Sequence, residues 1–320
     1  MRHHIVFLEA ACAPSPQFTF PHTCERFDTT SPDQVPTRIA NATIKLQCVA
    51  LTATGVTWLD RRLFAERGIT VVNCPQANVD AVAEHSVALY FAVRRKIVEQ
   101  HLAVTGPENA WIRDGQLTAR WVHGPPLGCR QEVLGIIGYG ALGRRIEQLA
   151  RGLGFGKVLA AEHKGEAARE GRVLFEDVLR TATTIVLCCP KDDSTVGLIS
   201  QDELSMMRPE VILVNVARGA IVCERALADA LRQHRIAGAA TDVLVCEPGG
   251  ISTSPLIPDV ENGEAAVPNL TITSHLAWFS AQTMENLCRM LKGSIEGFVM
   301  GNLLSASPDT VVVHEGVIHR

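Results

Sequence analysis

The chain has 320 residues, is 47% hydrophobic and 20% charged, and carries a net charge of −4 at pH 7. Those totals supply cores for two domains and offer no polybasic face for nucleic acid or an anionic membrane. No stretch approaches the about 18 apolar residues of a membrane helix. The ten cysteines form no C-x-x-C pair, so the simpler reading is free thiols, without zinc, in a reducing cytoplasmic setting.

From the N-terminus, His3-His4-Ile5-Val6-Phe7-Leu8 is stopped by Glu9 and suits a first strand better than a signal peptide. Residues 9–38 hold five prolines and little periodicity. Ala42-Thr43-Ile44 reads as a strand start and runs straight into Lys45-Leu46-Gln47-Cys48-Val49. Short apolar runs then alternate with amphipathic, helix-length stretches. Strands are expected at Cys48–Thr52, Thr70–Asn73, Val133–Ile137, Val158–Ala161, Thr184–Cys189, Val211–Val216, Ala237–Val243 and Leu270–Thr273. Helices are expected at Asp80–Gln100, Leu142–Leu153, Phe175–Thr181, Gln201–Met206, Glu224–Gln233 and Ala281–Met300. The last carries Met284, Leu287, Leu291, Ile295 and Phe298 at helical spacing. Arg94-Arg95-Lys96 reads as a solvated helix end. The polar stretch Gly249–Gly263 reads as a loop, and Gly301–Arg320 receives no assignment. The alternation predicts an α/β fold around a parallel sheet.

Behind Val133–Ile137 stands Gly138-Tyr139-Gly140-Ala141-Leu142-Gly143, a G-x-G-x-x-G turn between a strand and a helix. The first glycine allows a tight turn, the second lets backbone approach a pyrophosphate, and the third lets helix pack on strand. The helix start then offers free N–H groups to the phosphates. Glu162 closes the next strand, 19 residues past Gly143, where an acid can accept both hydroxyls of an adenine ribose and repel a 2′-phosphate. That argues for NAD. His163 and Lys164 follow at once and leave NADP open.

In the second half, three charged residues stand just past expected strands: Arg218 in Asn215-Val216-Ala217-Arg218-Gly219, Glu247 in Cys246-Glu247-Pro248, and His275 in Thr273-Ser274-His275-Leu276-Ala277-Trp278. Ligands of open α/β sheets bind outside the carboxyl ends of the strands, so these loops can converge.

At these residues the chain resembles the D-isomer-specific 2-hydroxyacid dehydrogenases, from about Val49 to Gly297. Further matching segments are Ala53-Thr54-Gly55-Val56-Thr57-Trp58-Leu59-Asp60, Arg67–Pro75, Ala81-Val82-Ala83-Glu84-His85, Cys189-Pro190 and Thr241-Asp242-Val243. Ala277-Trp278 looks most like the glycerate dehydrogenase/hydroxypyruvate reductase branch. The resemblance implies a doubly wound Rossmann domain over 77–297, with a smaller flavodoxin-like α/β substrate domain from 1–76 and 298–320. It implies that residues 138–143, Glu162, Cys189, Pro190, Ala217, Asp242 and His275 bind the cofactor, NAD or NADP, with Asp242 on the nicotinamide carboxamide. Arg218 and the backbone of Thr54, Gly55 and Val56 would bind the substrate. His275 would be the general acid in reduction and Glu247 would hold its other ring nitrogen. The implied activity is reduction of a small 2-keto acid, of the glyoxylate or hydroxypyruvate kind, to the D-2-hydroxy acid by a homodimer.

The family's small domain normally has a strand and a helix, about 20 residues, between the segments matching Ala42-Thr43-Ile44 and Lys45-Leu46-Gln47. Here they are absent, so the small domain is expected to be truncated, with an exposed sheet edge. Two other readings therefore stay open: an NADH-sensing scaffold like the C-terminal-binding corepressors, with the helix Asp80–Gln100 and the following Trp111/Trp121 region as dimer surface, and a catalytically dead nucleotide-binding paralogue.

Overall fold

A computed structural model describes residues 3–8, 16–19, 22–27, 46–56, 59–259 and 262–319. In chain order its strands are β1 (His3–Leu8), β2 (His22–Phe27), β3 (Cys48–Ala50), β4 (Thr70–Val72), β5 (Val133–Ile137), β6 (Lys157–Ala160), β7 (Thr184–Leu187), β8 (Ile212–Asn215), β9 (Gly238–Thr241), β10 (Leu270–Ile272), β11 (Val311–His314) and β12 (Val317–Ile318). The chain divides into two compact units, Met1–Asn78 with Phe279–Arg320, and Val79–Trp278.

The Val79–Trp278 unit is built on six parallel strands in the order β10-β9-β8-β7-β5-β6. Beyond β6 a single parallel bridge joins Ala161 to Val173, a rudimentary further strand. Successive side chains leave a strand on opposite faces, and both faces here are covered. Ile185, Leu187 and Leu213 enter one core with Phe175, Leu179 and Leu227. Leu134, Ile136, Val186 and Val214 enter the other with Tyr90, Val93 and Ile146. This explains why β7 and β8 carry successive apolar residues, Ile185–Leu187 and Ile212–Val214: every residue of both strands is buried. The direction of winding reverses between β5 and β7, which puts a crevice at their carboxyl ends.

The helix expected over Asp80–Gln100 is two helices, Val79–Arg94 and Ile97–Thr105, separated by Lys96 at φ +49°. The basic cluster there is not a solvated end. Arg94 and Lys96 are buried. Arg94 Nη2 donates to Glu132 at 3.0 Å and to the Thr183 carbonyl at 2.9 Å, and Nη1 donates to the Glu210 carbonyl at 2.8 Å. Its Nε lies 2.6 Å from the same carboxylate without hydrogen-bond alignment. Tyr90 and Thr184 also donate to Glu132. A buried carboxylate has recruited the helix end, because an unpaired charge there would be costly.

In the other unit, β3 and β4 run parallel, and β11 and β12 extend the sheet antiparallel in the order β12-β11-β4-β3. The unassigned tail therefore supplies two strands, with Val311 and Val313 opposite Val72 and Val71. β3 is the last strand of that order, while β1 and β2 pair in parallel as a separate sheet. The Ile44–Lys45 junction lies outside the described residues. Asp60 caps the helix Arg61–Glu66 by accepting from Arg62 and Leu63 N–H, and Phe64 of that helix fills a core of Val49, Ile69, Val71 and Val312. The helix Ala281–Val299 goes with this unit, not with the nucleotide-binding span that 77–297 gave it, because Leu287 and Leu291 pack on Cys74 and Ala77.

Candidate active site

The glycine turn has the form a dinucleotide requires. Gly138 follows β5 at φ +97°, and a Cβ there would sit 2.3 Å from the Cys189 nitrogen, so only glycine lets the ends of β5 and β7 meet. Gly140 precedes the helix Ala141–Gly152, and a Cβ there would meet nothing within 4 Å, leaving open space beside the first free amides of the helix. A Cβ on Gly143 would lie 2.5 Å from the Gly138 carbonyl, so helix and strand touch. These residues fit a pyrophosphate on the helix N-terminus. Ala141 and Leu142 form the first turn of that helix. Cys189 and Pro190 follow β7 at the same end of the sheet, and Cys188 Sγ donates to the Gly138 carbonyl at 2.9 Å. Burial pushes the Cys189 thiol up to about 11 and raises that of Cys188 further, so neither is a nucleophile.

Around Tyr139, Arg172 lies 4.4 Å over the ring and the hydroxyl bonds Glu147. Glu162 does close its strand, yet its carboxylate is buried and ion-paired with Arg169 at 2.6 Å. Acceptance of two ribose hydroxyls would require Arg169 to leave.

The Arg218, Glu247 and His275 loops converge beyond β8, β9 and β10. Asn215 shapes the first: its Oδ1 accepts from Ala217 N–H at 3.1 Å and its Nδ2 donates to the Arg218 carbonyl at 3.2 Å. Arg218 is half-buried and donates to the Ala217 carbonyl at 2.7 Å. Burial lowers its pKa, opposed by the charge of Glu247. Glu247 Oε1 accepts from Leu244 N–H at 2.8 Å, and Oε2 is 2.6 Å from His275 Nδ1. Burial opposes the Glu247 anion, but the His275 and Leu244 bonds and the Arg218 charge outweigh it, holding the carboxyl below its ordinary range. A carboxylate in that state makes Nδ1 the donor and reserves Nε2 for proton exchange.

His275 sits at φ +56°, and a lattice of bonds holds it there. Its N–H donates to the Asp242 carbonyl at 2.8 Å, and its carbonyl accepts from Trp278 Nε1 at 2.8 Å. The Asp242 carboxylate, 2% exposed, accepts from Thr273 Oγ1 at 2.6 Å, Leu276 N–H at 3.0 Å and Ala277 N–H at 2.9 Å. Three of its roughly four acceptor positions are thus spent on the histidine loop, leaving one for a carboxamide. Because the Thr273 hydroxyl donates to Asp242, its oxygen accepts from His85 Nε2 at 3.0 Å, which fixes the proton on that nitrogen. His85, Thr273 and Trp278 had no site role in the sequence reading. Their only signal was membership of segments already singled out.

Residues 87–277 match the family model of the D-isomer specific 2-hydroxyacid dehydrogenase NAD binding domain. The chain is 33% identical to glycerate dehydrogenase of Methylorubrum extorquens, over 94% of this chain and 98% of that protein. The chain belongs to the D-isomer specific 2-hydroxyacid dehydrogenases. It is an NAD(P)-dependent oxidoreductase that interconverts a 2-keto and a 2-hydroxy acid. It is also 30% identical to glyoxylate reductase of Thermococcus litoralis, over 85% of this chain and 79% of that one. The solved NADPH-dependent glyoxylate/hydroxypyruvate reductase of Sinorhizobium meliloti, in complex with NADP and malonate, superposes with a TM-score of 0.71 at 22% identity, over 100% and 99% of the two chains, a likeness of fold. Among the described residues no helix is long and apolar enough to cross a membrane.

Proposed function

We propose that this dehydrogenase reduces a small, polar 2-keto acid of the glyoxylate or hydroxypyruvate kind to the D-2-hydroxy acid. The carrying observation is the 2.6 Å contact of His275 Nδ1 with a Glu247 carboxylate that Arg218 also holds ionised. When bound, the reduced nicotinamide supplies hydride. His275 then gives a proton from Nε2 to the carbonyl oxygen, and Glu247 steadies the imidazolium left by turnover in the reverse direction. Such acid–base assistance is worth about 10²–10⁴-fold. Arg218 grips the carboxylate or keto oxygen with its planar fork; burial costs its charge solvation, which an anionic substrate returns. Within the Met1–Asn78 unit, the backbone amides of Thr54, Gly55 and Val56 are the substrate-binding candidates. Asn73 Nδ2 bonds the Thr54 carbonyl at 2.8 Å and sets that loop's shape. Asp242 offers its last acceptor position to the carboxamide.

A homodimer is supported by the segment after the Lys96 break, where Leu102, Trp111 and Ile112 are 62%, 60% and 83% exposed. The free cysteines among the described residues suit a cytoplasmic setting. The deciding experiment is a substrate panel of glyoxylate, hydroxypyruvate, pyruvate and a bulky aliphatic 2-keto acid, each with NADH and NADPH, following loss of cofactor absorbance. Turnover confined to the bulky acid would remove the small-substrate reading. Absence of turnover with dinucleotide still bound would favour the scaffold or dead paralogue.

A further inference from the structure

We propose that Arg169 is the cofactor-selecting residue and that it turns the adenosine end of the site toward NADPH. This rests on the reading of the chain as a dinucleotide-dependent reductase. It reverses what an acid at the end of β6 says by itself.

The Glu162 carboxylate has no acceptor position to spare. Oε1 accepts from His163 N–H at 3.0 Å and Arg169 Nη2 at 2.6 Å. Oε2 accepts from Arg169 N–H at 3.3 Å and Arg169 Nε at 2.7 Å. A carboxylate offers about four lone-pair positions, and two parallel bonds to one guanidinium are the strongest pairing it makes. The Arg169 bonds and the two amides hold the Glu162 carboxyl down to about 2, so it is ionised and its charge is matched in place. An ionised, unpaired acid would repel a 2′-phosphate; this one is cancelled.

The arginine faces the other way. Glu162 is 1% exposed and Arg169 66%, so the ion pair is buried on its acidic side and open on its basic side. The fork uses Nε and one Nη2 proton, which leaves three of five donors. Arg172, from the same segment, lies over the Tyr139 ring at 4.4 Å and ties the segment to the second residue of the glycine turn. Arg169 is thus carried beside the phosphate-binding turn. His163, 77% exposed, adds a further donor, while Glu166, 3.6 Å from its ring, adds an exposed acid whose charge also acts on Arg169. Lys164 is taken by Glu203 at 2.7 Å and contributes no free charge. Glu162 here is a positioning residue that aims Arg169.

The test is binding, read by fluorescence titration of the full-length protein with NADPH and NADH. Wild type is expected to hold NADPH at least about tenfold more tightly. Arg169→Ala should weaken NADPH by about 10- to 150-fold, the range of hydrogen bonds to a charged group. It should leave NADH unchanged or tighter, because Glu162 is released. Arg169→Lys keeps the charge without the fork and should fall between. Rising salt should weaken NADPH more steeply than NADH in wild type, and equally in Arg169→Ala. A wild-type preference for NADH, or an Arg169→Ala variant that loses both dinucleotides equally, overturns the assignment. Discrimination that follows Arg169 while no 2-keto acid is reduced removes the reductase reading and leaves the assignment standing. Binding of neither dinucleotide overturns both.

Discussion

Glutamine in place of Glu247 tests whether that carboxylate works through His275 or beside it. Oε1 accepts from Leu244 N–H at 2.8 Å, a bond glutamine keeps with its carbonyl oxygen. At the Oε2 position glutamine sets an N–H₂ against His275 Nδ1, which must change from donor to acceptor. A hydrogen bond to a charged group is worth about 1.5–3 kcal/mol. The two side chains are 40% and 35% exposed, so water competes and the lower end applies. At 1.36 kcal/mol per factor of ten, a loss of about 1.5 kcal/mol is slightly more than tenfold in kcat. His275→Ala should cost about 10²–10⁴-fold. In the double variant the loss should equal that of His275→Ala alone, because the ring on which Glu247 acts is gone. Single-turnover stopped-flow of NAD(P)H oxidation isolates the chemical step from product release. If Glu247→Gln costs the same tenfold with and without His275, the carboxylate acts on something other than the ring and the proposed pairing is wrong.

Gly143→Ala sets a methyl 2.5 Å from the Gly138 carbonyl and 3.1 Å from Ile136 Cγ2. Overpacking of this kind costs about 1–3 kcal/mol, so Tm and dinucleotide affinity should fall together; unchanged values would contradict the close helix–strand contact. Arg94→Met leaves Glu132 buried opposite an apolar chain and should cost about 3–5 kcal/mol in urea unfolding. A loss under about 1 kcal/mol would mean that Tyr90, Thr183 and Thr184 satisfy the carboxylate unaided. Glu162 titrates near 2 in the fold against 4.5 ordinarily. Its contribution to stability is therefore complete above about 4.5 and fades as pH falls toward 2. The Tm of Glu162→Gln should lie below wild type at neutral pH, and the two should converge in acid. Parallel curves across that range would refute the pairing with Arg169.

Much of the nucleotide-binding unit is legible in the amino-acid order because its determinants are local. Buried parallel strands are apolar on successive residues, not alternate ones, so Ile185–Leu187 of β7 and Ile212–Val214 of β8 stand out. The glycine turn lies within six residues. A loop that leaves a strand's carboxyl end inherits a place in the crevice, which is why Arg218, Glu247 and His275 could be picked out one by one. The expected helix over Asp80–Gln100 failed for the opposite reason: apolar spacing continues through Lys96, and the break is accompanied by Arg94 pairing with Glu132, 38 residues on. β11 and β12 were illegible because four- and two-residue strands have no periodicity, and the pairing of β11 with β4 spans most of the chain.

The residues alone determined that an acid follows β6, that a histidine follows β10 and that both belong to a dinucleotide enzyme. Only the folded chain decided what those groups are free to do. Asp242 spends three acceptor positions on the His275 loop and Glu162 spends all four on Arg169 and two amides, since a carboxylate's lone pairs go to whichever donors the backbone path brings within 3 Å or so. Residue type sets charge; the path of the chain sets which partner uses it.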